Sequence, residues 1–161
     1  MDYPWSPSND TVGLTPLVEL LAALRTTYLS HWASHWRVQG IPQYGDHLLF
    51  EKLYSSMPVE IDTLAEKIIS IYGHMALTDE KLILASGKFL SLHPTSDDGY
   101  GYSSSIYSRA LLMEQQLQAM LREVYESMKA DGVLSLGMDD FLMATANSHE
   151  TAIYLLSQRL R

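Results

Sequence analysis

Apolar residues recur every three to four positions through most of the chain, the spacing of amphipathic helices rather than of strands. The pattern predicts four long helices and a short one, at about residues 15–38, 45–72, 78–89, 104–130 and 138–160. Short connections and few strand signals indicate an all-α fold. We expect an antiparallel four-helix bundle, with the short helix between the second and third long helices.

Turn residues and prolines set several of the predicted helix ends. Thr15 followed by Pro16 is a capping residue before a proline in the first turn, which predicts the start of the first helix. Pro58 lies inside the second predicted helix, where it removes a backbone hydrogen bond. We expect a kink there rather than a true break, with Ser56 available to cap a restarted segment. Residues 92–102 are predicted to form a loop.

Composition fits one globular domain over residues 1–161. Hydrophobic residues make up 47% of the chain and charged residues 19%, and there is no cysteine, which excludes disulfides and thiol catalysis. Residues 1–10 lack the features of a signal peptide, and residues 1–13 are expected to be an extended or flexible tail. No apolar run is long enough to span a bilayer. We therefore expect a cytoplasmic protein with no membrane partner.

The chain is acidic, with a formal net charge of −8. An acidic surface repels nucleic-acid phosphates and releases no counterions on binding, so DNA binding is not expected. Clefts lined with negative charge concentrate cations. The sign of the charge therefore agrees with metal handling.

Five residues with metal-binding side chains occur at a regular spacing. His47 and Glu51 are four positions apart on the second predicted helix. Asp62 and Glu66, later on the same helix, are again four apart, so each pair lies on one helix face. His35, flanked by tryptophans, lies near the end of the first helix. Two imidazoles and three carboxylates suit iron, manganese or zinc. One isolated pair is usually a solvated face, whereas two pairs and a histidine make a metal site as good an explanation as a charged surface.

The distance between the two pairs predicts a site that is shared between chains. Asp62 lies fifteen positions beyond His47, or roughly 22 Å along a continuous helix, whereas a metal–ligand bond is about 2.0–2.2 Å long. A second copy packed antiparallel across a two-fold axis would set the His47/Glu51 end against the neighbour's Asp62/Glu66 end, twice. His35 would fold back towards His47 through the tight connection. A single chain is therefore expected to carry half-sites.

The same residues form a pattern that resembles the signature of the Dps mini-ferritins. The family pattern is HW-x-V-x-G, H-x-x-F-[DE] and D-x-x-AE-[RK]-I, which residues 35–40, 47–51 and 62–68 match at every ligand interval. Helix order, the short helix and the overall length also agree. The resemblance implies a ferritin-like four-helix bundle that assembles as a hollow dodecamer of identical subunits.

The resemblance also implies an activity. Di-iron ferroxidase centres would lie at the two-fold dimer interfaces, with His35, His47 and Glu51 from one subunit and Asp62 and Glu66 from its partner. Fe(II) would be oxidised there, preferably by hydrogen peroxide, and stored as ferric mineral, which protects against oxidative damage. Zinc or manganese are substitute occupants. The alternative is a non-catalytic metal-binding cage or structural assembly protein.

The remaining histidines are expected to lie outside the metal site. His31, four positions before His35, is either a supplementary ligand or a structural residue. Histidines without a partner at ligand spacing are expected at the surface or at helix caps: His74, His93 and His149. A di-iron centre inside one bundle would use Glu-x-x-His motifs, and the chain contains none.

Acidic residues near the start of the last helix are candidates for an ion-entry pore. The resemblance places acidic pores near Asp131, Asp139 and Asp140. Helix capping explains these aspartates equally well. The lysine-rich tail with which some family members bind DNA has no counterpart here.

Overall fold

The structure, a computed structural model of the chain, describes residues 13–95 and 102–161. Helices account for most of them, and no strand occurs in these two ranges. The α-helices are α1 (Leu14–Arg37), α2 (Gln43–Ser55), α3 (Met57–Tyr72), α4 (Asp79–Ser91), α5 (Tyr102–Ala130) and α6 (Leu136–Arg159), with a 3₁₀ turn at His74–Ala76. The predicted all-α class is confirmed, and α4 is the predicted short helix.

The core lies between α1, α3, α5 and α6, because each helix turns one apolar stripe inward. Leu17, Leu20, Leu21 and Leu24 follow the i, i+3, i+4, i+7 spacing along α1 and are fully buried. They join one hydrophobic cluster with residues of α3, α5 and α6, among them Leu64. α4 packs along α1, and its Phe89 belongs to the same cluster. The arrangement is the four-helix bundle that the apolar periodicity predicts.

The first helix starts differently from the prediction. α1 begins at Leu14, one residue before Thr15, and its cap position is Gly13 with no side-chain cap hydrogen bond. Gly13 has φ 82°, in the left-handed region that glycine adopts without steric cost. Thr15 and Pro16 therefore lie inside the first turn, where the missing N–H of a proline costs nothing.

The last helix begins at Leu136 rather than at residue 138, because Ser135 caps it. The Ser135 hydroxyl accepts a hydrogen bond of 3.2 Å from the backbone N–H of Met138. We expect Ser135→Ala to lower the free energy of unfolding by about 1 kcal/mol, measured by urea unfolding at fixed protein concentration. Ser127→Ala, at an exposed position inside α5, is the control and should change it by less than about 0.5 kcal/mol. Equal losses in the two variants would contradict a specific capping role.

The helix predicted over residues 45–72 is interrupted at one turn residue, Ser56, at the place where a kink is expected. Pro58 lies in the first turn of α3, where it removes no helical hydrogen bond. Ser56 has helical backbone angles (φ −85°, ψ −24°) and makes no side-chain cap hydrogen bond. The interruption is thus one residue long and separates the two predicted ligand pairs onto α2 and α3.

Two further expectations fall mainly on residues outside the two described ranges. Residues 1–12 of the expected tail and residues 96–101 of the predicted loop lie outside the described residues. Within the two described ranges, every helix is too short or too polar to cross a membrane.

Candidate metal centre

His35 on α1 and His47 on α2 lie side by side, with ring centroids 3.5 Å apart and planes inclined by 26°. His35 Nδ1 donates a hydrogen bond of 2.9 Å to the carbonyl oxygen of His47. His47 Nδ1 donates one of 2.9 Å to the carbonyl oxygen of His35. Since a carbonyl only accepts, the proton of each neutral imidazole lies on Nδ1, which leaves the Nε2 lone pair free for a metal.

The connection between α1 and α2 brings these two histidines together. Gly40 adopts φ 93°, a conformation that favours glycine, and its carbonyl accepts a hydrogen bond of 3.1 Å from the N–H of Gln43. The Pro42 carbonyl then accepts one of 3.0 Å from the N–H of Asp46, in the first turn of α2. The chain reverses within a few residues, as expected from the spacing.

The three predicted carboxylate ligands are exposed. Glu51 lies one turn after His47 on α2, and Asp62 and Glu66 lie one turn apart on α3. In the described part of the chain, no three His, Asp or Glu side chains are grouped so that they can hold a metal ion. One chain therefore pairs His35 with His47 but does not collect all five candidates around a common point.

Apolar side chains are exposed around the candidate ligands. Leu29, Trp36 and Val59 are 57%, 63% and 70% exposed, respectively. A groove of about 510 Å³ between α1, α3 and α4 reaches Asp62, and Leu29, Tyr28 and other apolar residues line it. Apolar surface of this extent is unfavourable in water and is typical of an interaction face.

His31 points into the bundle instead of towards His35. It is fully buried, and its Nε2 lies 2.6 Å from Oε1 of Glu114 on α5. Its ring also packs 5.8 Å from the ring of Phe50. These contacts are those of a structural residue, one of the two roles considered for it.

His31 is one end of a chain of four side chains, each from a different helix, of which three are buried and the fourth, Glu60, is partly exposed. On the other side of Glu114, His149 Nδ1 of α6 donates a hydrogen bond of 2.5 Å to Oε2. His149 Nε2 donates one of 3.2 Å to Oε2 of Glu60 on α3. Glu114 is fully buried and His149 is 3% exposed. We call these four residues the buried His–Glu network.

The buried His–Glu network carries charge at neutral pH. Burial alone would raise the pKa of Glu114, but hydrogen bonds from His149 and His31, with their charges, lower it to about 2. Burial alone would lower the pKa of His149, but hydrogen bonds to Glu114 and Glu60, with their charges, raise it to about 10. The two pKa shifts share one main cause, the hydrogen bond between Glu114 and His149. At neutral pH Glu114 is a carboxylate and His149 an imidazolium.

Two of the three histidines expected at the surface or at caps are buried, so the prediction is wrong for His149 and His93. His149 satisfies both ring nitrogens within the buried His–Glu network. His93 is 8% exposed and packs 4.8 Å from the ring of Phe89. His74 is exposed, as expected.

Sequence reasoning missed Glu114, although the chain holds a signal for it. Glu114 lies on α5 within the apolar stripe of Ala110, Met113, Leu117 and Leu121, all of them buried. A lone carboxylate in such a stripe is stable only if a buried partner neutralises it. The stripe therefore indicates a buried cation, but it does not say which helix supplies it.

The candidate pore aspartates do not cap α6. Asp131 and Asp140 are exposed, and Asp139 lies in the first turn of α6. The N-cap of α6 is Ser135, so capping of this helix does not explain the three aspartates. A carboxylate in the first turn still interacts favourably with the helix dipole. Their part in ion entry stays a prediction.

Comparison with known proteins gives short matches in sequence. No family model matches the chain. An uncharacterized protein of Haemophilus influenzae is 31% identical over 55 residues, 34% of this chain and 34% of that protein. A DNA protection during starvation protein of Brevibacillus brevis is 34% identical over 67 residues, 37% of this chain and 45% of that protein. The matches thus span less than half the length of either curated relative.

Solved structures match along almost the whole chain. DpsC from Streptomyces coelicolor has a TM-score of 0.78 and 21% identity, covering 100% of this chain and 91% of that one. Dps from Vibrio cholerae O1, described as a member of a broad superfamily of ferritin-like diiron-carboxylate proteins, has a TM-score of 0.75 and 22% identity, covering 100% of both chains. The chain is therefore a ferritin-like four-helix bundle. The expected resemblance to the Dps proteins is confirmed at the level of the fold.

Proposed function

We propose that the chain is an iron-storing mini-ferritin that oxidises Fe(II) at centres formed between two chains, in the cytoplasm. The observation that carries the proposal is the His35–His47 pair. Both Nδ1 atoms are occupied by carbonyl oxygens, so both Nε2 atoms are held ready for a metal. Fixing the tautomer and ring orientation of a ligand in this way is common at protein metal sites.

A second copy of the chain is the proposed source of the missing ligands. Asp62 and Glu66 are exposed on α3, beside exposed apolar residues and the groove that reaches Asp62. Two-fold packing of this face would bury the apolar surface and bring the carboxylates of each chain to the histidines of the other. Each dimer would then hold two complete centres, with Glu51 joining the histidines of its own chain.

The proposed ligand set suits the oxidation of Fe(II). Iron is the substrate here, and the imidazoles hold it in the ferrous state while the carboxylates favour the higher ferric charge. Two ferrous ions at one centre supply the two electrons that, with two protons, reduce hydrogen peroxide to two water molecules. Ferric product is then stored as mineral inside the proposed dodecamer. Zinc or manganese would fit the same donors.

The proposal is tested by mixing the assembled protein with Fe(II) and hydrogen peroxide and following ferric absorbance in a stopped-flow instrument. Glu66→Gln should lower the rate by about a hundredfold or more, because it removes a negative ligand while it keeps the shape of the side chain. Glu123→Gln, an exposed position on α5, is the matched control and should react like wild type. Gel filtration should give about 220 kDa, from twelve chains of 18.2 kDa each.

Two results would contradict the proposal. A wild-type particle that leaves Fe(II) unoxidised under these conditions would favour the non-catalytic cage. A Glu66→Gln variant with wild-type kinetics would exclude α3 from the centre.

A further inference from the structure

α6 carries none of the five candidate ligands, yet it is hydrogen-bonded to α2 and to α3, which together carry four of them. Near its end, Arg159 Nε and Nη2 donate hydrogen bonds of 2.6 and 3.0 Å to the two carboxylate oxygens of Asp46 on α2. Ten residues earlier, His149 Nε2 donates one of 3.2 Å to Glu60 on α3. Asp46 immediately precedes His47, and Glu60 lies two residues before Asp62.

The contact between Arg159 of α6 and Asp46 of α2 has a well-defined geometry. Asp46 is 3% exposed, so its carboxylate is held away from water and needs a partner. A guanidinium that donates in parallel to both oxygens fixes direction as well as distance. The guanidinium of Arg159 also lies 4.6 Å from the ring centroid of Tyr107 on α5, which limits its own movement.

These contacts set the rotation of each ligand-bearing helix about its own axis. At about 100° per residue, His47 and Glu51 lie about 100° and 140° around α2 from the inward-facing Asp46. Asp62 and Glu66 lie about 200° and 240° around α3 from the inward-facing Glu60. Holding Asp46 and Glu60 against α6 therefore turns the ligands away from the bundle centre. The observed exposure agrees, because Asp46 is buried whereas Glu51, Asp62 and Glu66 are exposed.

The interruption at Ser56 makes these contacts with α6 necessary. α2 and α3 are separate helices joined at a single residue, so their backbone hydrogen bonds alone do not lock the angle between them. In the proposed dimer, the two ligand pairs of one chain enter two different centres. Both centres close only if the two pairs keep the separation and direction that the partner's pairs require.

We propose that α6 holds α2 and α3 in a fixed orientation across this interruption. Arg159 is the positioning residue for the histidine half of the centre, and His149 is the positioning residue for the carboxylate half. The inference rests on the proposed function. Arg159 and His149 touch no metal in it. They act through Asp46 and Glu60, which keep each ligand pair aimed at the neighbouring chain.

The test is direct binding of Co²⁺, a redox-inert probe, to the assembled protein, by calorimetry and by the visible absorption of the bound ion. Arg159→Gln should weaken binding by about tenfold to a hundredfold, the usual effect of removing a residue that orients a ligand, and change the spectrum. Arg159→Lys keeps the charge but loses the two-pronged contact, so its affinity should fall between Arg159→Gln and wild type. Arg161→Gln, two residues further on and exposed, is the matched control and should bind like wild type.

Gel filtration and circular dichroism on the same samples separate positioning from folding. The inference holds if Arg159→Gln or Arg159→Lys keeps the assembly and helix content of wild type but binds Co²⁺ more weakly with an altered spectrum. It is overturned if either assembled variant binds with wild-type affinity and spectrum, or if Arg161→Gln weakens binding equally. If wild type itself takes up no Co²⁺ and oxidises no Fe(II), the proposed function fails, and the positioning inference fails with it.

Discussion

Chains carrying His47→Ala and chains carrying Glu66→Ala, each inactive alone, are expected to recover about a quarter of the wild-type iron-oxidation rate when they are co-expressed. Each proposed centre takes its histidines from one chain and its α3 carboxylates from the other. In a mixed dimer one centre receives both defects and the other receives none. Random pairing makes about half of the dimers mixed, so about a quarter of all centres are intact.

Co-expression of His47→Ala with His35→Ala is the matched control for this experiment. Both changes damage the histidine half, so every centre in every pairing carries a defect and no activity should return. His35 and His47 contact each other within one chain, which makes the control independent of any assumption about the dimer. Recovery in both mixtures, or in neither, would contradict a centre that is divided between chains.

Glu114→Gln is expected to lower the free energy of unfolding by about 3–5 kcal/mol near pH 6, because it leaves the buried His149 cation without its main counter-charge. Glu114 joins His31 and His149 through hydrogen bonds of 2.6 and 2.5 Å at the centre of the bundle. The amide keeps the shape of the side chain but brings no charge. Urea unfolding at fixed protein concentration measures the loss.

The effect of Glu114→Gln should depend on pH in a defined direction. The pKa of Glu114 is lowered from 4.5 to about 2, so its stabilisation is complete above pH 4.5 and is lost as the pH falls towards 2. The pKa of His149 is raised from 6.5 to about 10, so its stabilisation is complete below pH 6.5 and is lost as the pH rises towards 10. The difference between wild type and variant should therefore be largest between about pH 4.5 and 6.5.

Glu150→Gln is the control, because it also removes a carboxylate but at the exposed residue next to His149. Glu150 follows His149 directly but is exposed, so its removal should change the free energy of unfolding by less than about 0.5 kcal/mol. If Glu114→Gln loses no more than this control, or if its loss is the same at pH 6 and pH 9.5, the buried His–Glu network does not stabilise the fold as argued.

The secondary structure followed from local patterns, with differences that have local causes. The apolar stripe of α1 is visible at Leu17, Leu20, Leu21 and Leu24 without knowledge of its partners. The interruption of the second helix was harder to judge, because a proline is accepted either in a kinked helix or in the first turn of a new one. Pro58 lies in the first turn of a new helix, one residue after Met57 begins α3.

The sequence by itself determined the helical elements and the intervals between the five candidate ligands, because helix periodicity acts over three or four neighbouring residues. It also indicated that His35 folds back on His47, since a short glycine connection leaves few other routes. Only the tertiary structure decided that His31, Glu114, His149 and Glu60 meet. Their contacts join residues 83, 35 and 89 positions apart, and contacts of that range depend on how whole helices pack rather than on any local spacing.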